Sequence, residues 1–282
     1  MSTTLATATV SGNLVQLTPR RGNCARFSRD YELLGSIPMR HLERTVLGCD
    51  YGATSWTTRH EAARIADLLE LDARMRLLDV GAGAGWPSLY VAQLTGCEVA
   101  LTDLPLVGLE IARERAARDG LIQRCTVLVA DGAALPFADA SFDAVSHSDV
   151  LCCMPTKLEM LQECRRVARS GSRMVFSVIA PAVSLSEAER QRAIASGPEF
   201  VDVPEGYQAL LEQSGWHLGS CIDVTDEFLE SMQRSVECMH SESKSLIDVL
   251  GNNEFAERVA RRQTTIAAVA SGILKRELFV AD

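Results

Sequence analysis

Between Leu77 and Pro105 the chain reads LLDVGAGAGWPSLYVAQLTGCEVALTDLP: an apolar run, glycines at alternate positions, a helical stretch, then an acidic residue about twenty positions on. After a buried strand such a segment must turn sharply, admit a ligand to its backbone and open a helix whose free N–H groups face an anion. Gly81, Gly83 and Gly85 meet the first two demands. A strand, a glycine turn, a helix and a second strand ending in an acid describe the first crossover of an open nucleotide-binding sheet. A dinucleotide turn spaces its glycines G-x-G-x-x-G, whereas here the third comes one residue early and Trp86 follows it. An NAD-dependent oxidoreductase is therefore the minor reading.

The rhythm continues along the chain. RLLDVG, CEVALTD and CTVLVAD read as strands, with helices in WPSLYVAQLT and VGLEIARERAARDG between them. FDAVSHSDVL is a fourth strand, LEMLQECRRVAR its helix, SRMVFSVIAP a fifth strand, GYQALLEQSGW a helix, HLGSCIDVT a sixth strand and RELFVA the last. Strand-helix alternation implies a parallel, doubly wound α/β sheet. Upstream, Phe27 to Leu47 carries apolar residues at helical spacing before GCDYGATSWTT breaks the pattern. Thr57 or Thr58 caps the next helix, with Glu61 in its first turn. Asp226 to Leu274 holds two long helical stretches, parted near GNNEF, that have no slot in a sheet. The expected organisation is a disordered tail over residues 1–25, a helical cap over 26–70, a cofactor-binding core over 71–225, a helical lid over 226–274 and a last strand over 275–282.

Composition narrows the partners. Against 28 basic residues stand 37 acidic ones, a net charge of -9, which disfavours a nucleic-acid partner because that affinity comes from clustered Lys and Arg. The nine cysteines are scattered without a CxxC pair, so neither a zinc site nor a disulfide framework is expected, and a reducing cytoplasm fits best. No apolar run is long enough to span a membrane, and the N-terminal residues lack the apolar segment of a secretory signal. A monomer or homodimer is expected.

The spacing D-x-G-x-G-x-G from Asp79 resembles motif I of the class I S-adenosylmethionine (SAM) methyltransferases, and LPFADASFDAV resembles the run before strand four in ubiquinone and menaquinone methyltransferases. That resemblance covers Leu77 to Pro181 and implies a Rossmann-like, seven-stranded sheet with a helical cap and a helical insertion before the last strand. It also implies SAM as cofactor and S-adenosylhomocysteine as product. Asp79 would lie near the amino group, with Gly81, Ala82, Gly83, Gly85 and Trp86 along the methionine portion. Asp103 and Leu104 would meet the ribose, and Asp131 and Gly132 the adenine.

DYGATSWTT and the tail from Tyr207 to Ala281 are similar to the phosphoethanolamine, sarcosine and dimethylglycine N-methyltransferases. By that likeness Tyr51, Thr54, Ser55, Trp56, Cys153 and Tyr207 border the methyl acceptor. The chain departs from those enzymes at Cys153, where they usually carry His, and in SGPEFVDVPEG, which offers carboxylates where the phosphobase enzymes place basic residues. An acceptor without phosphate is expected.

Methyl transfer from a sulfonium is an in-line displacement in which alignment and exclusion of water matter most. A base is needed for a hydroxyl, phenol or protonated amine. His147, near the end of the fourth strand, is a candidate base or cofactor contact, with a structural histidine as the alternative. Asp149 can orient it, bind an acceptor amine or cap the next helix, and Tyr31 can close over the acceptor or simply pack its helix. Trp56 and Tyr51 offer ring faces to a cation or pack the cap on the sheet. The expected function is SAM-dependent methylation of a small molecule, with an N- or O-acceptor favoured; the alternative is a non-catalytic SAM-binding sensor or assembly subunit.

Overall fold

The computed structural model describes the backbone of residues 21–282 and side chains from residue 24 onward. Most of the tail expected over residues 1–25 lies outside the described residues, and its end, from Arg21, is already helical.

Seven strands form one sheet: β1 (Arg76–Val80), β2 (Glu98–Asp103), β3 (Cys125–Val129), β4 (Phe142–Ser148), β5 (Ala168–Pro181), β6 (Leu218–Asp223) and β7 (Leu274–Ala281), in the order β3-β2-β1-β4-β5-β7-β6. β1 to β5 pair in parallel, while β7 runs antiparallel to both β5 and β6. β1 is central and covered on both faces, which is why four of its five residues are buried. Leu77 faces a core shared with α3 (Arg59–Leu69), α4 (Ser88–Thr95) and α5 (Leu106–Arg118); Leu78 faces one shared with α6 (Lys157–Val167) and α8 (Gly206–Gln213). Successive strand residues point to opposite faces, so two adjacent leucines serve two cores. β3 and β6 are the edge strands, and Leu128 and Val129 of β3 are exposed.

Chain connections leave β1 in one direction towards β2 and return on the other side through β4. The crevice between the C-terminal ends of β1 and β4 is where ligands collect in such sheets. The remaining helices gather around that end. α1 (Arg21–Leu34) packs on α5, and α2 (Ile37–Leu47) packs on α9 (Thr225–Ser241). α9 buries Phe228, Met232, Ser235 and Met239, which recur at helical spacing along one face.

Two differences from the sequence reading have local causes. The helical insertion contains three helices rather than two, because α10 (Ser243–Leu250) separates α9 from α11 (Asn252–Ala270). An additional helix, α7 (Glu187–Ser196), follows β5; Ser186 accepts from Glu189 N, and the Glu189 carboxylate returns to Ser186 N. This reciprocal cap is a readable start signal in SEAE that periodicity alone passes over. Thr58 caps α3, accepting from Glu61 N at 3.1 Å. Among the described residues no helix is long and apolar enough to cross a membrane.

Candidate functional site

The turn after β1 is bound to β2 by its own backbone: Gly81 N and Ala82 N donate to Thr102 O at 2.7 and 2.9 Å. Gly83 has φ 51°, and a Cβ there would collide with the Tyr31 hydroxyl. Gly85, at φ 87°, has no room either, since a Cβ would press on Leu89 and Ala112. The backbone conformation and the crowding each select glycine. Trp86 then anchors the turn sideways. Its Nε1 donates to Thr57 O at 2.7 Å, and its ring lies 5.0 Å from Tyr51 and 5.6 Å from Tyr90.

Two carboxyls meet at this turn. Asp79 is 1% exposed; its Oδ1 stands 3.5 Å from Ser146 Oγ, and its Oδ2 is buried without a partner. Burial, with Asp103 nearby, pushes its carboxyl up to about 7. Asp103 accepts from Gly83 N at 2.8 Å and Leu104 N at 2.7 Å, yet burial still raises it to about 6. Adjacent acids that resist ionisation form a site suited to a cation. Asp131 ends the third strand's loop, accepting from Ala133 N at 3.0 Å, with Gly132 packed against Val80. Leu104 remains 40% exposed beside Asp103. These residues fit SAM on chemical grounds. The orphaned Asp79 oxygen suits an ammonium, each Asp103 oxygen keeps a lone pair for a hydroxyl, and Leu104 offers a flat ring an apolar surface.

The other wall is the segment from residues 49 to 58. Glu43, buried in α2, holds its first half by accepting from Tyr51 N at 3.2 Å, Gly52 N at 2.7 Å, Ala53 N at 3.0 Å and Cys49 Sγ at 3.2 Å. Its second half is tied to the sheet, because Trp56 N donates to Asp149 Oδ2 at 2.8 Å. Asp149 belongs to a buried network centred on Arg276 of β7, which is 1% exposed. The guanidinium reaches Asp149 at 2.9 and 3.2 Å, Glu61 at 2.7 Å, Ser177 Oγ at 2.9 Å and Thr57 Oγ1 at 3.2 Å. Burial raises the Glu61 carboxyl, with Arg276 opposing the shift. The sequence marks Glu61 only as a first-turn acid of α3, and gives no sign of the roles of Arg276 and Glu43. The available signal was weak: Arg276 sits between Lys275 and Glu277, and only its inward-facing position in β7 sets it apart.

Tyr31, Thr54, Ser55, Trp56 and Cys153 gather above the crevice. Tyr31 is 3% exposed, its ring against Gly83 and Gly108 and its hydroxyl 3.4 Å from Thr54 Oγ1. Its phenol is raised by burial and by the charges of Asp103, Asp30 and Cys153, which face it. The Ser55 hydroxyl is buried without a partner. Trp56 meets Phe228 edge-on at 5.5 Å, and Cys153 packs in the same cluster at the base of the insertion.

Four expected site residues are placed otherwise. His147 is fully buried, stacked on Phe176 at 4.6 Å, with no partner for either ring nitrogen. Burial pushes it down to about 3, so it is neutral and joined to no proton donor or acceptor. Strand alternation is the cause: Ser146 faces Asp79, so His147 points into the opposite core. That placement does not suit a general base or a cofactor contact. Tyr207 occupies the same core, 6.0 Å from Phe176 and 5.5 Å from Phe279. Tyr51 lies under Arg115, whose guanidinium is 3.9 Å from its ring, and its hydroxyl turns to Asp119 rather than to the acceptor side. Asp149 has both oxygens engaged and acts as an anchor.

A family model described as a methyltransferase domain matches residues 78–176, the span from the glycine turn to the middle of β5. The 27-O-demethylrifamycin SV methyltransferase of Amycolatopsis mediterranei is 32% identical over 178 residues, covering 62% of this chain and 65% of that protein. The O-methyltransferase resE of Aspergillus sclerotiorum is 30% identical over 198 residues, covering 66% of this chain and 72% of that protein. The chain thus spans 60 to 65% of the length of the first curated relatives it matches. In fold it is similar to phosphoethanolamine N-methyltransferase 2 of Haemonchus contortus, solved with S-adenosylhomocysteine, at a TM-score of 0.73 and 16% identity, over 89% of this chain and 60% of that one.

Proposed function

This chain belongs to the class I SAM-dependent methyltransferases, and from that premise we propose that it methylates an oxygen atom of a small, phosphate-free metabolite or natural product. The observation that carries the reading is the pair of buried, protonation-prone carboxyls, Asp79 and Asp103, set around a glycine turn that opens on a crevice walled by Trp56. SAM, when bound, supplies a methyl group activated by a sulfonium. The chain's own residues hold and align. Asp79 takes the ammonium, Asp103 the ribose hydroxyls, and Asp131 with Gly132 borders the base. Tyr31 and the segment from Thr54 to Trp56 cover the methyl and keep water out.

Oxygen is favoured as acceptor because two relatives are named for O-methylation. With His147 sunk in the opposite core and Asp149 bound to Arg276, neither expected proton-accepting side chain is placed to take a proton in the crevice. An acceptor hydroxyl that ionises readily, such as a phenol or enol, suits that environment. The test is incubation with methyl-labelled SAM and a fractionated small-molecule extract, read by mass spectrometry. A labelled methyl on a hydroxyl is expected. A labelled nitrogen would overturn the choice of atom, and SAM binding without any product would favour the sensor reading.

A further inference from the structure

Several enclosed arginines of this protein are matched to acids. Arg276 pairs with Asp149 and Glu61, Arg258 with Asp30 at 2.5 Å and Glu254 at 2.7 Å, and Arg115 with Asp50 at 2.7 Å and Asp119 at 2.6 Å. Arg262, one turn beyond Arg258 on α11, is half-buried and forms no ion pair among the described residues. Its Nη1 donates to Met239 Sδ at 3.1 Å, a weak acceptor, and its Nε is buried with no acceptor at all. In a chain with 37 acidic against 28 basic residues, an enclosed guanidinium whose Nε has no acceptor is a group that calls for one.

The charged groups facing Arg262 are Arg258 and Arg261 on its own helix and Asp30 on α1, and Asp30 is committed to Arg258. Burial and the two arginines lower Arg262 to about 10, which leaves it charged at neutral pH. It stands over the ring of Trp56 at 5.7 Å, on the wall of the crevice described above. Trp56 is itself fixed by its backbone bond to Asp149, so the ring holds a defined apolar face beside a guanidinium whose Nε has no acceptor.

We propose that Arg262 binds an oxyanion of the methyl acceptor, so that the substrate class is an acidic small molecule, either a carboxylate or an ionised hydroxyl. This rests on the reading of the crevice as the acceptor site. The planar fork of a guanidinium suits two-point recognition of a carboxylate, and its charge suits a phenolate or enolate. Where the ionised hydroxyl is itself the atom methylated, its proton has already gone to solvent and no base is needed.

The test measures binding of paired probes to the full chain, with and without S-adenosylhomocysteine: benzoate against benzamide, and 4-nitrophenolate against nitrobenzene. For the native protein at least one anion is expected to bind tenfold or more tightly than its neutral partner, and the pair that shows the preference identifies the oxyanion. R262Q should abolish the preference, R262K should keep part of it, and R261Q, altering an exposed arginine on the same helix, should leave it intact. Equal binding of both members of both pairs, no binding of any probe, or an unchanged preference in R262Q would overturn the proposal. S-adenosylhomocysteine affinity, read on the same samples, separates the outcomes. Loss of anion preference with that affinity preserved isolates Arg262, whereas failure of the native protein to bind S-adenosylhomocysteine would sink the cofactor reading instead.

Discussion

Asp79 and Asp103 owe their chemistry to where the backbone leaves them: one orphaned at the end of a central strand, the other clasped by two N–H groups yet still largely desolvated. Both prefer the protonated form well above the ordinary 3.8 of an aspartate, Asp79 to about 7 and Asp103 to about 6. In the free protein the folded state therefore binds more protons than the unfolded chain, and these two groups favour folding less as pH rises from about 4 to about 7. A bound ammonium reverses the preference at Asp79, so cofactor binding must release protons in that window. Affinity for S-adenosylhomocysteine is expected to rise between about pH 5.5 and 7.5 by up to tenfold per unit for each carboxyl released, then level off. Calorimetry in buffers of different ionisation enthalpy counts the protons directly, and a pH-independent affinity with no proton release would remove the cation-binding role of Asp79. His147 teaches the complementary lesson. Its position near a strand's C-terminal end is visible in sequence, but the face it points to depends on register: Ser146 takes the site and His147 the core.

At the scale of elements, what shapes the crevice is a loop fastened at both ends. Glu43 gathers three backbone N–H groups of the first half, and the Arg276 network holds the second through Asp149 and Thr57. Such a loop is polar and short, so periodicity says nothing about its path, and its anchors lie far away in sequence. Arg276 is the most costly of them to lose, since it neutralises two buried carboxylates. Arg276→Ala should destabilise the protein by about 3–5 kcal/mol in denaturant unfolding. Arg276→Lys, which keeps charge but not the fork, should recover part of that. A loss below about 1 kcal/mol for Arg276→Ala would mean that Asp149 and Glu61 find water in place of the guanidinium.

For the molecule as a whole, the sheet was legible because its central strands are buried apolar runs and the helices between them carry apolar faces; the glycine turn and the acids at the ends of β1 and β2 and just after β3 fixed the ligand end. The insertion before the last strand followed from counting elements against sheet positions, whereas strand-helix alternation implied an all-parallel sheet and passed over the antiparallel run of β7. What sequence left hidden depends on long-range pairing. α7 announces itself only by a cap, α10 only by a break in a long helical stretch, and the Arg276 and Arg262 environments only when β7 and α11 are folded against Trp56. The single most direct measurement is calorimetric titration of S-adenosylhomocysteine into the native protein and into Asp103→Ala. Saturable one-site binding, weakened at least tenfold by the substitution, about 1.4 kcal/mol or more, is expected if the glycine turn and its acids hold this cofactor. Undetectable binding to the native chain, or equal affinity in the two proteins, would contradict it.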